Sequence, residues 1–184
     1  MKFLNLKKVW SGRYLKHYEL TYLNKAGKEK YYEIVSHKEL YSFSDIGRKS
    51  SGISIVAICD EKLLLLKEFR MAVGRSIYNL CAGMLEEGES IEDCIRRELY
   101  EETGLRLKKI HKILPAAFAA VSISDIKNQI AFVEVEGEFS DHSSDNEEIQ
   151  AALYTKEEVA ALLETEEFSS RAQIAAYFFS EGKL

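Results

Sequence analysis

GMLEEGESIEDCIRRELYEETGL, residues 83–105, carries eight carboxylates and two cationic side chains, Arg96 and Arg97. The stretch reads as a helix that begins near Ser90, where Ser90 and Asp93 make a capping pair. It ends at Gly104, a residue suited to a left-handed stop. Ile91, Ile95 and Leu99 recur one turn apart and give an apolar stripe that docks on a sheet. Glu98 and Glu102 fall on the same half of the helix as that stripe, whereas Glu92, Arg96 and Tyr100 fall on the other. Two carboxylates are thus drawn toward protein and away from water.

Like charges at these spacings repel by roughly 0.2–0.5 kcal/mol per pair in water, and by more when desolvated. Glu98, Glu101 and Glu102 also lie toward the helix C-terminus, where the macrodipole disfavours anions. Arg97 can pair with Glu101 one turn on, which leaves two acids without a partner in the helix. The simplest compensation is a hard divalent cation, because Mg²⁺ takes carboxylate oxygens and keeps waters for the rest of its octahedron. A solvated acidic face is the other reading of the same charges.

The acidity is local. The chain carries a net charge of −5, while this stretch alone carries eight acids against two bases. That balance argues against a nucleic-acid groove. With 184 residues, 46% of them hydrophobic, the chain can bury one full core, or one core and a small appendage. No apolar run approaches the roughly 20 residues needed to span a bilayer. The start, MKFLNLKKVWSGRY, lacks the apolar core and cleavage site of a secretory signal. A cytoplasmic protein with no membrane partner is expected. Cys59, Cys81 and Cys94 form no CxxC and are odd in number, so they are expected as reduced, mostly buried thiols.

Upstream of the acidic stretch, FLNLKKVW, RYLKHYELTYL and EKYYEIVS read as strands, with Asn24-Lys25-Ala26-Gly27 as a turn between the last two. Such a meander has too little core to stand alone, so it is expected to pair with the main domain or a second copy of the chain. The polar run SFSDIGRKSSG, residues 42–52, marks a boundary. It divides the chain into an N-terminal β region, 1–48, and a main domain, 49–184. ISIVAI and LLLLKEF, joined at Asp60-Glu61, form a buried hairpin, and Arg75 to Leu80 a further strand.

Downstream, strands are expected at 109–119 and 128–136 and a polar loop at 138–148. A capping box at Thr155 and Glu158 precedes a short helix, and SRAQIAAYFF forms a closing one. Strands with a central and a terminal helix indicate an α+β architecture, a mixed sheet with helices on its faces.

Gly83, Glu89 and the run Arg97-Glu98-Leu99-Tyr100-Glu101-Glu102-Thr103-Gly104-Leu105 match every fixed position of GX5EX7REUXEEXGU, with U apolar. The chain therefore resembles the Nudix hydrolases, which cleave a diphosphate linked to another moiety with Mg²⁺ or Mn²⁺. The resemblance implies an α/β/α sandwich. It implies that Glu98, Glu101 and Glu102 hold the metal with the backbone carbonyl of Ala82, that Arg97 orients the glutamates and that Glu89 supports the loop. Gly83 and Gly104 would permit the turns on either side of the helix.

The flank LLLLKEFRMAVGRSIYNLCAGMLEEGES looks like the ADP-ribose pyrophosphatase and nucleoside-diphosphate-sugar branch. That similarity implies a nucleotide-sugar substrate contacted by Arg70, and a homodimer built through the N-terminal strands. Glu68 is expected to be a solvated edge acid, with an extra metal ligand as the alternative. A late-loop general base would be Asp145 or Glu147, with a solvated loop as the alternative. Tyr31, Tyr32 or Phe69 could stack on a purine, although each ring is expected in the core.

There are two departures from the branch. Cys81 stands where it usually has proline, and its serine-proline-glycine motif after the box is absent from AAFAAVSISD, residues 116–125. The first reading is hydrolysis of ADP-ribose or a related nucleoside diphosphate sugar. Other nucleotide substrates (a GDP-sugar, a dinucleoside polyphosphate or an oxidised nucleotide) and a non-catalytic Nudix module are the alternatives.

Overall fold

A computed structural model describes residues 1–48, 50–140 and 148–184. Two compact units emerge: residues 1–51 with 116–128, and residues 52–115 with 129–184.

In the first unit, β1 (Lys2–Ser11), β2 (Lys16–Leu23) and β3 (Glu29–Ser36) form an antiparallel sheet in that order. The β2–β3 turn closes as its sequence suggests. Asn24 Oδ1 accepts from the Ala26 and Lys28 amides, at 2.9 and 3.0 Å, and Gly27 supplies the positive φ. Tyr18, Leu20, Ile34 and Leu40 make its small core. Tyr31 and Tyr32 lie outside that core and are exposed. The Tyr31 hydroxyl donates to Glu29 at 2.7 Å and that of Tyr32 to the Ser122 carbonyl at 2.6 Å. The expectation of buried rings fails because Tyr18, Leu20 and Ile34 fill the covered face beside Tyr32, while Tyr31, opposite Thr21, lies on the other face.

The second unit is built on β4 (Gly52–Cys59), β5 (Lys62–Arg70), β6 (Arg75–Asn79) and β7 (Cys81–Met84). These precede α1 (Ile91–Thr103), β8 (Arg106–Ile113), β10 (Lys127–Glu136) and β11 (Ile149–Tyr154), while β9 (Ala117–Phe118), between β8 and β10 in the chain, falls in the first unit. The chain closes with α2 (Lys156–Thr165) and α3 (Ser170–Ser180). The main path of the mixed sheet runs β11-β5-β4-β10-β8, with β6 on β5, β7 on β4 and β9 on β10.

Strands β4 and β5 are buried on both faces, so they read as continuous apolar runs rather than alternating ones. Ile53, Ile55, Ala57, Leu64 and Leu66 pack with Cys94, Ile95 and Leu99 of α1. Val56, Leu63 and Leu65 point the other way, onto Val159 of α2 and Ala172, Ala176 and Phe179 of α3. One helix on one face and two on the other make the α/β/α sandwich.

Thr155 caps α2 through a full capping box with Glu158, and Ser169 caps α3. The strand expected at 109–119 starts earlier, at Arg106, and is broken after Ile113. Pro115, the only proline, lacks an amide for the ladder, so pairing resumes only in the two-residue β9.

Candidate active site

The site is assembled where β7 meets α1. Ser90 caps α1, its hydroxyl oxygen accepting from the Asp93 amide at 3.1 Å, and Gly104 ends it in the left-handed region at φ 76°. Ile95 and Leu99 are fully buried beneath the helix, which turns the Glu98 side chain inward. Its carboxylate lies over the Cα of Gly83, so closely that a Cβ there would fall inside it. Gly83 shows no positive φ among the described residues, in contrast to Gly104. Its role is therefore to leave room for Glu98, and the expectation that it frees a turn is corrected to that extent.

Arg97 is the hub. Its Nε and Nη2 donate to the two oxygens of Glu89 at 2.8 and 3.0 Å, and Nη1 donates to Glu98 at 2.8 Å and to Glu101 at 3.2 Å. Nη2 also donates to the Met84 carbonyl at 3.0 Å, tying the helix to the end of β7. These bonds, those to Glu89 foremost, push the guanidinium upward and hold the Glu89 carboxyl down at about 2. Glu89 also accepts from the Glu86 amide at 3.0 Å, which closes the loop before the helix.

Glu102 stands apart from this hub. It accepts from the Ala82 amide at 3.2 Å, and burial pushes its carboxyl up to about 8. Burial also raises Glu98, with Arg97 opposing. Among the described residues, no three His, Cys, Asp or Glu side chains converge closely enough to hold an ion. Glu98 and Glu101 meet on Arg97, while Glu102 faces β7. The donor set nonetheless fits a hard divalent cation. It offers carboxylate oxygens whose charge the described residues leave only partly compensated, beside a strand end with backbone carbonyls. A cavity of about 220 Å³, lined by Glu102, Thr103, Phe139, Ser140, Ile149 and Ala151, opens beside Glu102.

Glu68 differs from its sequence reading. Its side chain is only 14% exposed, accepts from Asn79 Nδ2 at 3.0 Å and pairs with Arg70, and its charge is felt at Glu102. It is not a solvated edge acid, because β6 and β11 flank β5 at this position, opposite Ile77 and Ile149. Phe69 is exposed rather than in the core, and its amide donates to the Glu148 carbonyl at 3.0 Å. Arg70 is half exposed and turns back onto Glu68. Asp145 and Glu147 lie outside the described residues. Cys81 and Cys94 are buried free thiols, and burial raises both.

Sequence reasoning overlooked Asn79 and Arg171. Asn79 bridges Glu68 to the Ser169 hydroxyl, which donates to its Oδ1 at 2.7 Å. No local pattern marks a contact made across 90 residues.

The NUDIX domain model matches residues 48–177, and the chain belongs to that family. An ADP-ribose pyrophosphatase of Bacillus subtilis is 40% identical over 70 residues, 38% of either chain. An ADP-sugar pyrophosphatase of Mus musculus is 26% identical over 135 residues, 71% of this chain and 59% of the relative. The chain thus spans less than two thirds of the length of both relatives. A crystal structure of an ADP compounds hydrolase superposes with a TM-score of 0.74 at 20% identity, covering 100% of this chain and 96% of the other. That likeness establishes the fold.

Proposed function

We propose that the protein hydrolyses the diphosphate linkage of a nucleoside diphosphate sugar, ADP-ribose or a close relative, to a nucleoside monophosphate and a sugar phosphate. The observation that carries this reading is the pair of carboxylates Glu98 and Glu102, drawn out of water against β7, with Arg97 on Glu98 and no ion pair on Glu102 among the described residues. Glu98, Glu101, Glu102 and the Ala82 carbonyl would hold Mg²⁺ or Mn²⁺. Such an ion supplies charge neutralisation on the phosphoryl oxygens and a water of lowered pKa.

The chain's own residues do the rest. Arg97 holds Glu98 and Glu101 in fixed orientation, and Glu89 holds Arg97. Gly83 keeps the space the Glu98 carboxylate occupies. Arg70 and Phe69, at the end of β5, contact the substrate. Asp145 or Glu147 accepts the proton of the attacking water. The names of the Bacillus and mouse relatives support the substrate class.

The protein acts as a cytoplasmic homodimer joined through β1–β3, where Leu4, Val9 and Trp10 are exposed. Three free thiols agree with a reducing compartment. Among the described residues, no helix is long and apolar enough to cross a membrane.

The test is incubation with ADP-ribose and Mg²⁺ followed by chromatography for AMP. GDP-sugars, dinucleoside polyphosphates and oxidised nucleotides are run in parallel. AMP from ADP-ribose supports the reading. Turnover of another nucleotide alone moves the substrate class, and turnover of none leaves a binding module.

A further inference from the structure

Helix α3 opens with a cation in an unfavourable place. Arg171 lies in the first turn, where the aligned peptide dipoles disfavour positive charge. Its side chain is partly buried, and among the described residues it has neither a hydrogen bond nor a carboxylate partner. Burial and then the charge of Arg70 both pull the guanidinium down, yet a guanidinium stays ionised. The neighbouring cations are matched: Arg70 with Glu68, Arg75 with Glu167 and Lys67 with Glu166. Arg171 therefore carries desolvation, like-charge repulsion and an adverse dipole without compensation among the described residues.

Its position is fixed by the packing around it. The Tyr78 amide donates to the Glu167 carbonyl at 2.7 Å, and the Ser169 amide donates to the Tyr78 carbonyl at 2.9 Å. Phe168 stacks on the Tyr78 ring with centroids 5.2 Å apart. Ser169 both caps α3 and donates to Asn79, which in turn donates to Glu68, the partner of Arg70. A continuous hydrogen-bonded chain thus ties the first turn of α3 to the end of β5. That chain brings the first turn of α3, and Arg171 with it, toward Arg70, whose charge Arg171 feels.

We propose that Arg171 and Arg70 together form a subsite for the diphosphate of the substrate, with Arg171 a binding residue that lies outside the acidic motif. The proposal deepens the nucleotide-hydrolase reading above and rests on it for the identity of the ligand. Two planar guanidinium forks match phosphate oxygens bidentately. A multiply charged diphosphate cancels the repulsion between the arginines and satisfies the donors of Arg171 that the described residues leave open. The unfavourable placement of the cation in the free protein then becomes affinity for an anion.

The experiment is calorimetric titration of ADP into the wild-type chain, Arg171→Gln and Arg171→Lys, in EDTA so that nothing turns over, with adenosine as the uncharged control. The expected result is about tenfold weaker ADP binding for R171Q, corresponding to about 1.4 kcal/mol, with partial recovery in R171K and unchanged adenosine binding. The ligand-free melting temperature of R171Q should equal or exceed that of the wild type, since a repulsion has been removed.

Equal ADP affinity in wild type and R171Q, absence of ADP binding by the wild type, or parallel loss of ADP and adenosine binding would overturn the proposal. So would a lowered melting temperature in both variants, which would make the role structural. AMP release from ADP-ribose is scored separately. Arginine-dependent ADP binding with turnover of no nucleotide in the panel would defeat the hydrolase reading and leave the subsite standing.

Discussion

The carboxylate of Glu98 occupies the space that a side chain on Gly83 would need. Gly83→Ala must therefore expel Glu98 or part β7 from α1. The expected cost is about 1–3 kcal/mol of stability, as for other overpacked sites. Activity on ADP-ribose should fall at least a hundredfold, while the far-UV circular dichroism stays native. Wild-type turnover in a folded G83A would show that the Glu98 placement is irrelevant to catalysis.

Arg97 engages Glu89, Glu98, Glu101 and the Met84 carbonyl with one planar group. A lysine ammonium cannot span that set. Arg97→Lys should lower stability by about 1–3 kcal/mol in urea unfolding, because carboxylates half withdrawn from water lose their partner. Its kcat should fall more than its KM changes, as the arginine orients ligands rather than binding substrate.

Acid stability should depend on Glu89. Its folded carboxyl is held down at about 2 by Arg97, whereas the unfolded side chain titrates near the ordinary glutamate value of about 4.3. A depressed carboxyl stabilises the fold above the unfolded pKa and loses that contribution as pH falls through the folded one. Wild-type stability should accordingly decline between about pH 4.3 and pH 2, and Glu89→Gln should show a shallower decline in the same window. Identical acid transitions would remove Glu89 from the account.

The β4–β5 turn offers a stabilising change. Asp60 and Glu61 both hold positive φ, 46° and 62°, which a two-residue hairpin demands and which Asn-Gly meets with less strain. Replacing the pair with Asn-Gly should raise stability by about 1 kcal/mol, read as a higher urea midpoint with unchanged slope.

Much of this fold could be read locally. The four leucines 63–66 announce a strand covered on both faces, and Ser90 and Gly104 mark the ends of the central helix to the residue. The helix that carries Glu98, Glu101 and Glu102 was legible from its caps and apolar spacing, whereas the metal-ligand role of the three came from the Nudix resemblance. Other features depended on tertiary neighbours. Glu68 resembles any acid at a strand end until β6 and β11 close around it. Tyr32 resembles a core ring until Tyr18, Leu20 and Ile34 are seen to fill that core. Arg171 is an ordinary helix arginine in sequence, and only the absence of a carboxylate within reach among the described residues marks it out. Pro115 could have been read as the break in its strand, since it lacks a ladder amide.

The central claim is that the carboxylates of α1 are gathered for catalysis. Its most direct test is the kcat of Glu101→Gln and Glu102→Gln on ADP-ribose with Mg²⁺, beside wild type, with folding checked by thermal unfolding. Folded variants whose kcat drops by orders of magnitude are the predicted result. Near-native turnover in both would contradict it.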